Sequence, residues 1–178
     1  ELMPRAQDRN NFVAELVKQE LEQVEQQAVD APAAVGGTLH LYTDGGSRGN
    51  PGQAAIGCVL EDPSTGDVIR EHLDRIGIET NNVAEYQALI EGLKLAERYH
   101  PNQLICHLDS ELVVKQVNGE YRVKMPTLQP LVDQIQQLRT AFPEVSFVYI
   151  PRADNHRADA LVNRALDELP DPPYEKPE

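Results

Sequence analysis

Hydrophobic positions along this chain recur with two different periods. Between residues 7 and 29, Val13, Val17, Leu21, Val24 and Ala28 return at spacings of four, four, three and four among Glu and Gln, which predicts an amphipathic helix. Two heptads do not decide between packing on a neighbouring domain and self-association as a short coiled coil. DAPAAVGG (30–37) breaks the pattern with Pro and paired Gly and reads as a linker. The period then shortens. TLHLYTD (38–44) and AAIGCVL (54–60) read as strands, EDPSTG (61–66) as a turn, and DVIREHLDRIG (67–77) as a returning third strand. A helical stripe follows over 82–99, through Val83, Leu89, Ile90, Leu93 and Ala96. QLICHLD (103–109) is an apolar run of the length of a buried parallel strand. A helix through ELVVKQVNG ends near Gly119, another spans 128–141, VSFVYI (145–150) is the last strand, and a helix covers 155–167. The acidic, Pro-rich DPPYEKPE that ends the chain has the composition of a disordered tail.

The order βββαβααβα predicts an α/β fold, a mixed sheet flanked by helices, with an extra N-terminal helix. Three segments are expected: a helix and linker over 1–36, one domain over 37–168, and a tail over 169–178. In such sheets, sites collect at the carboxyl ends of central strands. Two acids stand at strand ends, Asp44 and Asp109. Two more, Glu85 and Asp159, sit in helical patterns that can reach the same place. Four hard oxygen ligands brought together would hold two divalent metal ions, and such a site cleaves phosphodiesters.

Each acid also has a plainer reading. TDGGSRGNPG (43–52) is dense in turn formers and can be a tight hairpin. Alternatively, Gly45, Gly46 and Gly49 clear side chains from beside a carboxylate so that a nucleic-acid backbone can approach, with Asn50 adding a polar contact. TNNVAEY (80–86) fits a capping box with Asn82 as N-cap and Glu85 three residues on. Ser110 is a fitting N-cap after the strand that ends at Asp109, but an unpartnered buried Asp109 would be costly and a cation would relieve it. Asp159 can be an early-helix acid favoured by the helix dipole. Each plain reading stands singly; all four at these element boundaries do not.

Charge at first opposes a polyanionic partner, since the 178 residues carry a net −13. The ends hold most of it: residues 37–166 carry 17 acids and 12 bases, and four of those acids are the candidate ligands. No apolar run approaches the roughly 20 residues of a membrane helix, and ELMPRAQDRNN lacks the order of a signal peptide. A cytoplasmic location without membrane contact is therefore expected. Cys58 and Cys106 lie in apolar runs and read as buried free thiols. The scattered histidines offer no zinc spacing.

TDGGSRGNPG, TNNVAEY, DSELVVKQVNGEYRVK and PRADNHRADALVNRALD together resemble the type 1 ribonuclease H family, closest to the bacterial and archaeal group without a basic protrusion. The resemblance covers about residues 38–168. It implies a ribonuclease H-like mixed five-stranded sheet, with Asp44, Glu85, Asp109 and Asp159 as ligands for two Mg²⁺ or Mn²⁺ ions. It further implies hydrolysis of the RNA strand of RNA–DNA hybrids, leaving 5′-phosphate and 3′-hydroxyl ends. Asn50, Asn81, Glu85 and Glu111 match positions facing the RNA minor groove. Thr80, Asn82 and Thr127 match a pocket for a DNA-strand phosphate, with Lys124 lending charge. Asn155, in the short loop PRADN, is counted with the substrate contacts. Many relatives carry a mobile His between the last strand and last helix; here Arg152 is the expected substitute, and His156 is read as helix surface. Glu111 replaces a Gln of some relatives, and the short 119–127 connection cannot form a basic handle. Two rivals remain: a catalytically idle scaffold or nucleic-acid-binding module of the same fold, and a same-fold nuclease for double-stranded RNA. The first is opposed by the four intact carboxylates.

Overall fold

The computed structural model describes residues 36–170 and residue 172. The expected helix at 7–29, most of its linker and most of the tail lie outside the described residues. Within them the expected order holds. It runs β1 (Thr38–Gly49), β2 (Gly52–Asp62), β3 (Asp67–Glu79), α1 (Asn81–Glu97), β4 (Gln103–Leu108), α2 (Glu111–Val117), α3 (Gln129–Arg139), β5 (Glu144–Tyr149), a 3-10 turn (Arg152–Asn155) and α4 (His156–Glu168).

The sheet has the order β3-β2-β1-β4-β5. β1 and β3 each pair antiparallel with β2. β4 runs parallel to β1, and β5 parallel to β4. One face carries the main core: Leu39, Leu41, Cys58, Leu60, Leu104, Cys106 and Leu108 meet Tyr86, Leu89 and Leu93 of α1, Val113 and Val117 of α2, and Ile135 of α3. On the other face α4 lays Val162, Ala165 and Leu166 over Ala55 and Leu73. Both cysteines are free and buried, as expected, and burial pushes both thiols up. Among the described residues no helix is long and apolar enough to cross a membrane.

β1 is five residues longer than its apolar run. Beyond Asp44 the ladder continues through Gly45↔Ile56 to Gly49↔Gly52, so GGSRG is strand rather than loop. Ladder hydrogen bonds come from the backbone and need no apolar side chain, which is why a pattern of side chains ends too early here.

His107 of β4 stacks on Tyr42 of β1 with ring centroids 4.6 Å apart. Neither of its ring nitrogens has a hydrogen-bond partner among the described residues. Burial, then the neighbouring His40, lowers its pKa to about 4. A folded value below the unfolded 6.5 means the unfolded chain takes up the proton first. Stability is therefore full above pH 6.5 and declines as the pH falls toward 4. The expected loss is roughly 2 kcal/mol, discounted for partial exposure. Urea unfolding of wild type and His107→Phe at pH 7 and pH 4.5 checks this, and an equal loss in both would remove His107 as the cause.

Candidate active site

The parallel pairing of β1 and β4 places the first two acids side by side. Thr43 is in register with Leu108, so Asp44 and Asp109 are the next residues along two adjacent strands. Glu85 enters from the first part of α1 because that helix lies against β1. A Cβ built on Gly45 would stand 2.1 Å from the Ala84 carbonyl carbon and 2.4 Å from Glu85 N. The missing side chain expected to admit substrate thus admits the helix backbone instead. Gly57 does the same for the last helix: its Cβ would lie 2.5 Å from Ala158 O, the residue before Asp159.

Asp44, Glu85 and Asp109 each offer a carboxylate oxygen within 4.8 Å of the others. Asp44 is 6% exposed and Glu85 8%. Glu85 Oε2 is buried with no hydrogen-bond partner among the described residues. Burial, then Asp109 and Asp159, raises the Asp44 carboxyl to about 7 against a pull downward from Arg152 and the Gly45 amide. Glu85 is pushed well above the ordinary glutamate range by burial, then by Asp44 and Asp109. Three carboxylates in close reach, one with a buried oxygen that no donor among the described residues satisfies, form a hard-oxygen set of the kind that fits a divalent cation.

Asp159 lines the same cavity of about 310 Å³ but stands outside that close trio. Arg152 Nη2 donates to its Oδ1 at 3.0 Å, and Asn163 Nδ2 to its Oδ2 at 3.1 Å. Gly46, Ser47, Arg48 and Asn81 line the cavity too. Sequence reasoning missed Arg48 and Asn163; the i, i+4 spacing of Asp159 and Asn163 on a helix was a usable signal.

Other expected contacts divide among neighbouring features. Thr80, Asn82 and Thr127 surround one cavity of about 440 Å³ together with Asn50 and Asn81. Lys124 faces the adjoining cavity, with Leu112, Tyr121, Arg122 and Met125. The N-cap of α1 is Thr80, which accepts from Val83 N at 3.3 Å. The capping box with Asn82 is therefore not formed, and Glu85 lies inside the helix. Asn81 Oδ1 accepts from Ser47 N at 2.9 Å, and Asn50 Oδ1 from Asn81 N at 3.2 Å, so these two side chains tie the β1–β2 turn to α1. Glu111 is exposed and pairs with Lys115 at 2.8 Å. His156 lines a separate small cavity with Tyr42, Glu61 and Arg157. Asn155 is 1% exposed, and its amide donates to Thr43 O and Asp109 Oδ2.

Fold and site define the class: an α/β protein with a carboxylate centre at the carboxyl ends of the central parallel strands of a mixed sheet. Residues 42–165 match the family model described as "Reverse transcriptase-like". The chain is 44% identical over 133 residues to ribonuclease HI of Halobacterium salinarum, covering 75% of this chain and 66% of that protein. It is also 44% identical to "Bifunctional protein Rv2228c" of Mycobacterium tuberculosis, across 71% of this chain and 35% of that one. The chain thus spans between one third and two thirds of these relatives' length. Its fold matches the crystal structure of LC11-RNase H1 in complex with an RNA/DNA hybrid with TM-score 0.69 and 43% identity, over 73% of this chain and 97% of that one. The chain belongs to the type 1 ribonuclease H family.

Proposed function

We propose that this chain is an endoribonuclease that hydrolyses the RNA strand of RNA–DNA hybrids with the help of two divalent metal ions, Mg²⁺ or Mn²⁺. The convergence of Asp44, Glu85 and Asp109 within 4.8 Å carries the reading. These three residues would hold one ion, and Asp159 across the cavity would complete a second position. When bound, such ions would supply an activated water and offset charge on the phosphate, the chemistry of a hydrolysis that yields 5′-phosphate and 3′-hydroxyl ends. The burial of Asp44 and Glu85 excludes bulk water from one side of the cleft and keeps their oxygens fixed before substrate arrives. The guanidinium of Arg152 stands beside Asp159, where it would meet a departing 5′-phosphate. Gly46, Asn81 and Glu111 offer contacts to the RNA strand, and the 2′-hydroxyl supplies the mark that separates RNA from DNA. Thr80, Asn82 and Thr127, around one cavity, suit a phosphate of the other strand, with Lys124 in the cavity beside it.

The test is incubation of purified protein with an end-labelled hybrid and either metal, beside matched double-stranded RNA and DNA and an Asp109→Asn control. Metal-dependent cleavage confined to the hybrid's RNA strand and lost in the control is expected. Equal cleavage of double-stranded RNA would move the substrate assignment, and no cleavage by folded protein would overturn the enzyme reading. Arg152→Ala is expected to lower kcat about tenfold to a hundredfold with little change in KM. An unchanged kcat in steady-state assays would remove Arg152 from product departure. The apolar pattern of residues 7–29 fits self-association or packing on the domain alike, and self-association is the part that truncation tests. A chain starting at residue 37 that keeps the full chain's sedimentation state would remove that part.

A further inference from the structure

Asn155 ends the 3-10 turn that launches α4. Its Nδ2 donates to Thr43 O at 2.9 Å and to Asp109 Oδ2 at 3.3 Å. One amide therefore joins the ends of both central parallel strands, at the residue before Asp44 and at Asp109 itself. It does so from the segment that also sets Asp159, four residues further on. The arrangement carries a penalty, because Asn155 Oδ1 is buried without a partner among the described residues. An apolar side chain of similar size would avoid that penalty, so the donor is what the position supplies. Being neutral, the amide holds a carboxylate oxygen without bringing a positive charge that competes with a cation. Arg152 on Asp159 does bring one. The same helix repeats the neutral arrangement at Asp159, whose Oδ2 accepts from Asn163 Nδ2.

We infer that Asn155 is a positioning residue for the metal centre: it holds the Asp109 carboxylate in the rotamer that stands among Asp44 and Glu85. This rests on the metal-dependent reading above and adds to it a residue that touches neither substrate nor ion. Donors behind metal ligands fix ligand orientation, and their loss weakens metal affinity by about 10–100-fold.

The test uses the full chain without nucleic acid. Mn²⁺ binding is measured by calorimetry for wild type, Asn155→Ala and Asn155→Asp, with melting temperatures and hybrid binding recorded in EDTA. Asn155→Ala is expected to raise the Mn²⁺ dissociation constant by about 10–100-fold while hybrid binding in EDTA stays unchanged. Asn155→Asp keeps the volume but turns the donor into an acceptor, and it too is expected to bind Mn²⁺ more weakly. It decides the matter alone if the alanine variant does not fold. Unchanged Mn²⁺ affinity with a lowered melting temperature would reduce Asn155 to a packing role and overturn the inference. Tighter Mn²⁺ binding by Asn155→Asp would overturn it as well, by showing that negative charge alone governs the site. If wild type binds Mn²⁺ yet leaves every hybrid intact, the nuclease reading falls while the calorimetric comparison still judges Asn155.

Discussion

Asp44→Asn is expected to lower hybrid cleavage by roughly two orders of magnitude or more and, in EDTA at pH 8, to make the protein more stable than wild type. The two effects share a cause. Burial first, then Asp109 and Asp159, hold the Asp44 carboxyl at about 7, against 3.8 in the unfolded chain. A folded value raised in this way means the folded state resists ionisation. Its contribution to stability is fully present below pH 3.8 and is lost as the pH rises through 7. The asparagine variant has no such proton to lose. Its advantage should be absent near pH 4, grow up to pH 7 and then hold at roughly 2 kcal/mol, a value reduced for the solvent in the cleft. Excess Mg²⁺ or Mn²⁺ should reverse the order, because binding stabilises only the state that has the site. Melting curves at pH 5 and pH 8, with and without EDTA, read all of this. A variant less stable than wild type in EDTA at pH 8 would show that the Asp44 carboxylate is already satisfied by the protein.

Gly45→Ala should be the most damaging single-methyl change in the sheet. The atoms its Cβ would meet, at 2.1, 2.2 and 2.4 Å, are all backbone atoms of Ala84 and Glu85, which cannot swing aside as a side chain can. Either β1 or α1 must shift. Overpacking of this kind costs about 3 kcal/mol or more. The shift also carries Glu85 off its position, and a misplacement of about 1 Å at a reacting centre is worth roughly a hundredfold in rate. Gly46→Ala is the control for stability alone, since its Cβ would meet only the Val162 side chain, at 3.2 Å. Urea unfolding with initial rates on a hybrid compares the pair. If Gly45→Ala stays within about 1 kcal/mol of wild type, the close approach is not what seats α1.

Side-chain pattern made the strand and helix order legible, because each element buries one face or one stripe of apolar residues. It also exposed three of the candidate ligands: Asp44 and Asp109 follow apolar strands, and Glu85 stands four residues before Leu89 on the buried side of α1. What stayed hidden depends on distance rather than on pattern. TNN presents three capping residues in a row; Asn81 is engaged across the fold with Ser47, and Thr80 is the one that accepts from Val83 N. Gly45 reads as room for a ligand until α1 is seen to fill it. Asn155 reads as a loop amide open to substrate, since nothing local shows that Thr43 and Asp109 close over it.

The chain order of the site has a consequence for synthesis. Asp44, Glu85 and Asp109 leave the ribosome well before residues 152–168, which bring Arg152, Asn155 and Asp159 together with the helix that covers Ala55 and Leu73. Until that last segment arrives, the cleft lacks its fourth acid, the amide behind Asp109 and one wall. A growing chain therefore has three of the four acids long before the cleft is complete, and the centre is assembled only when translation has nearly finished this domain.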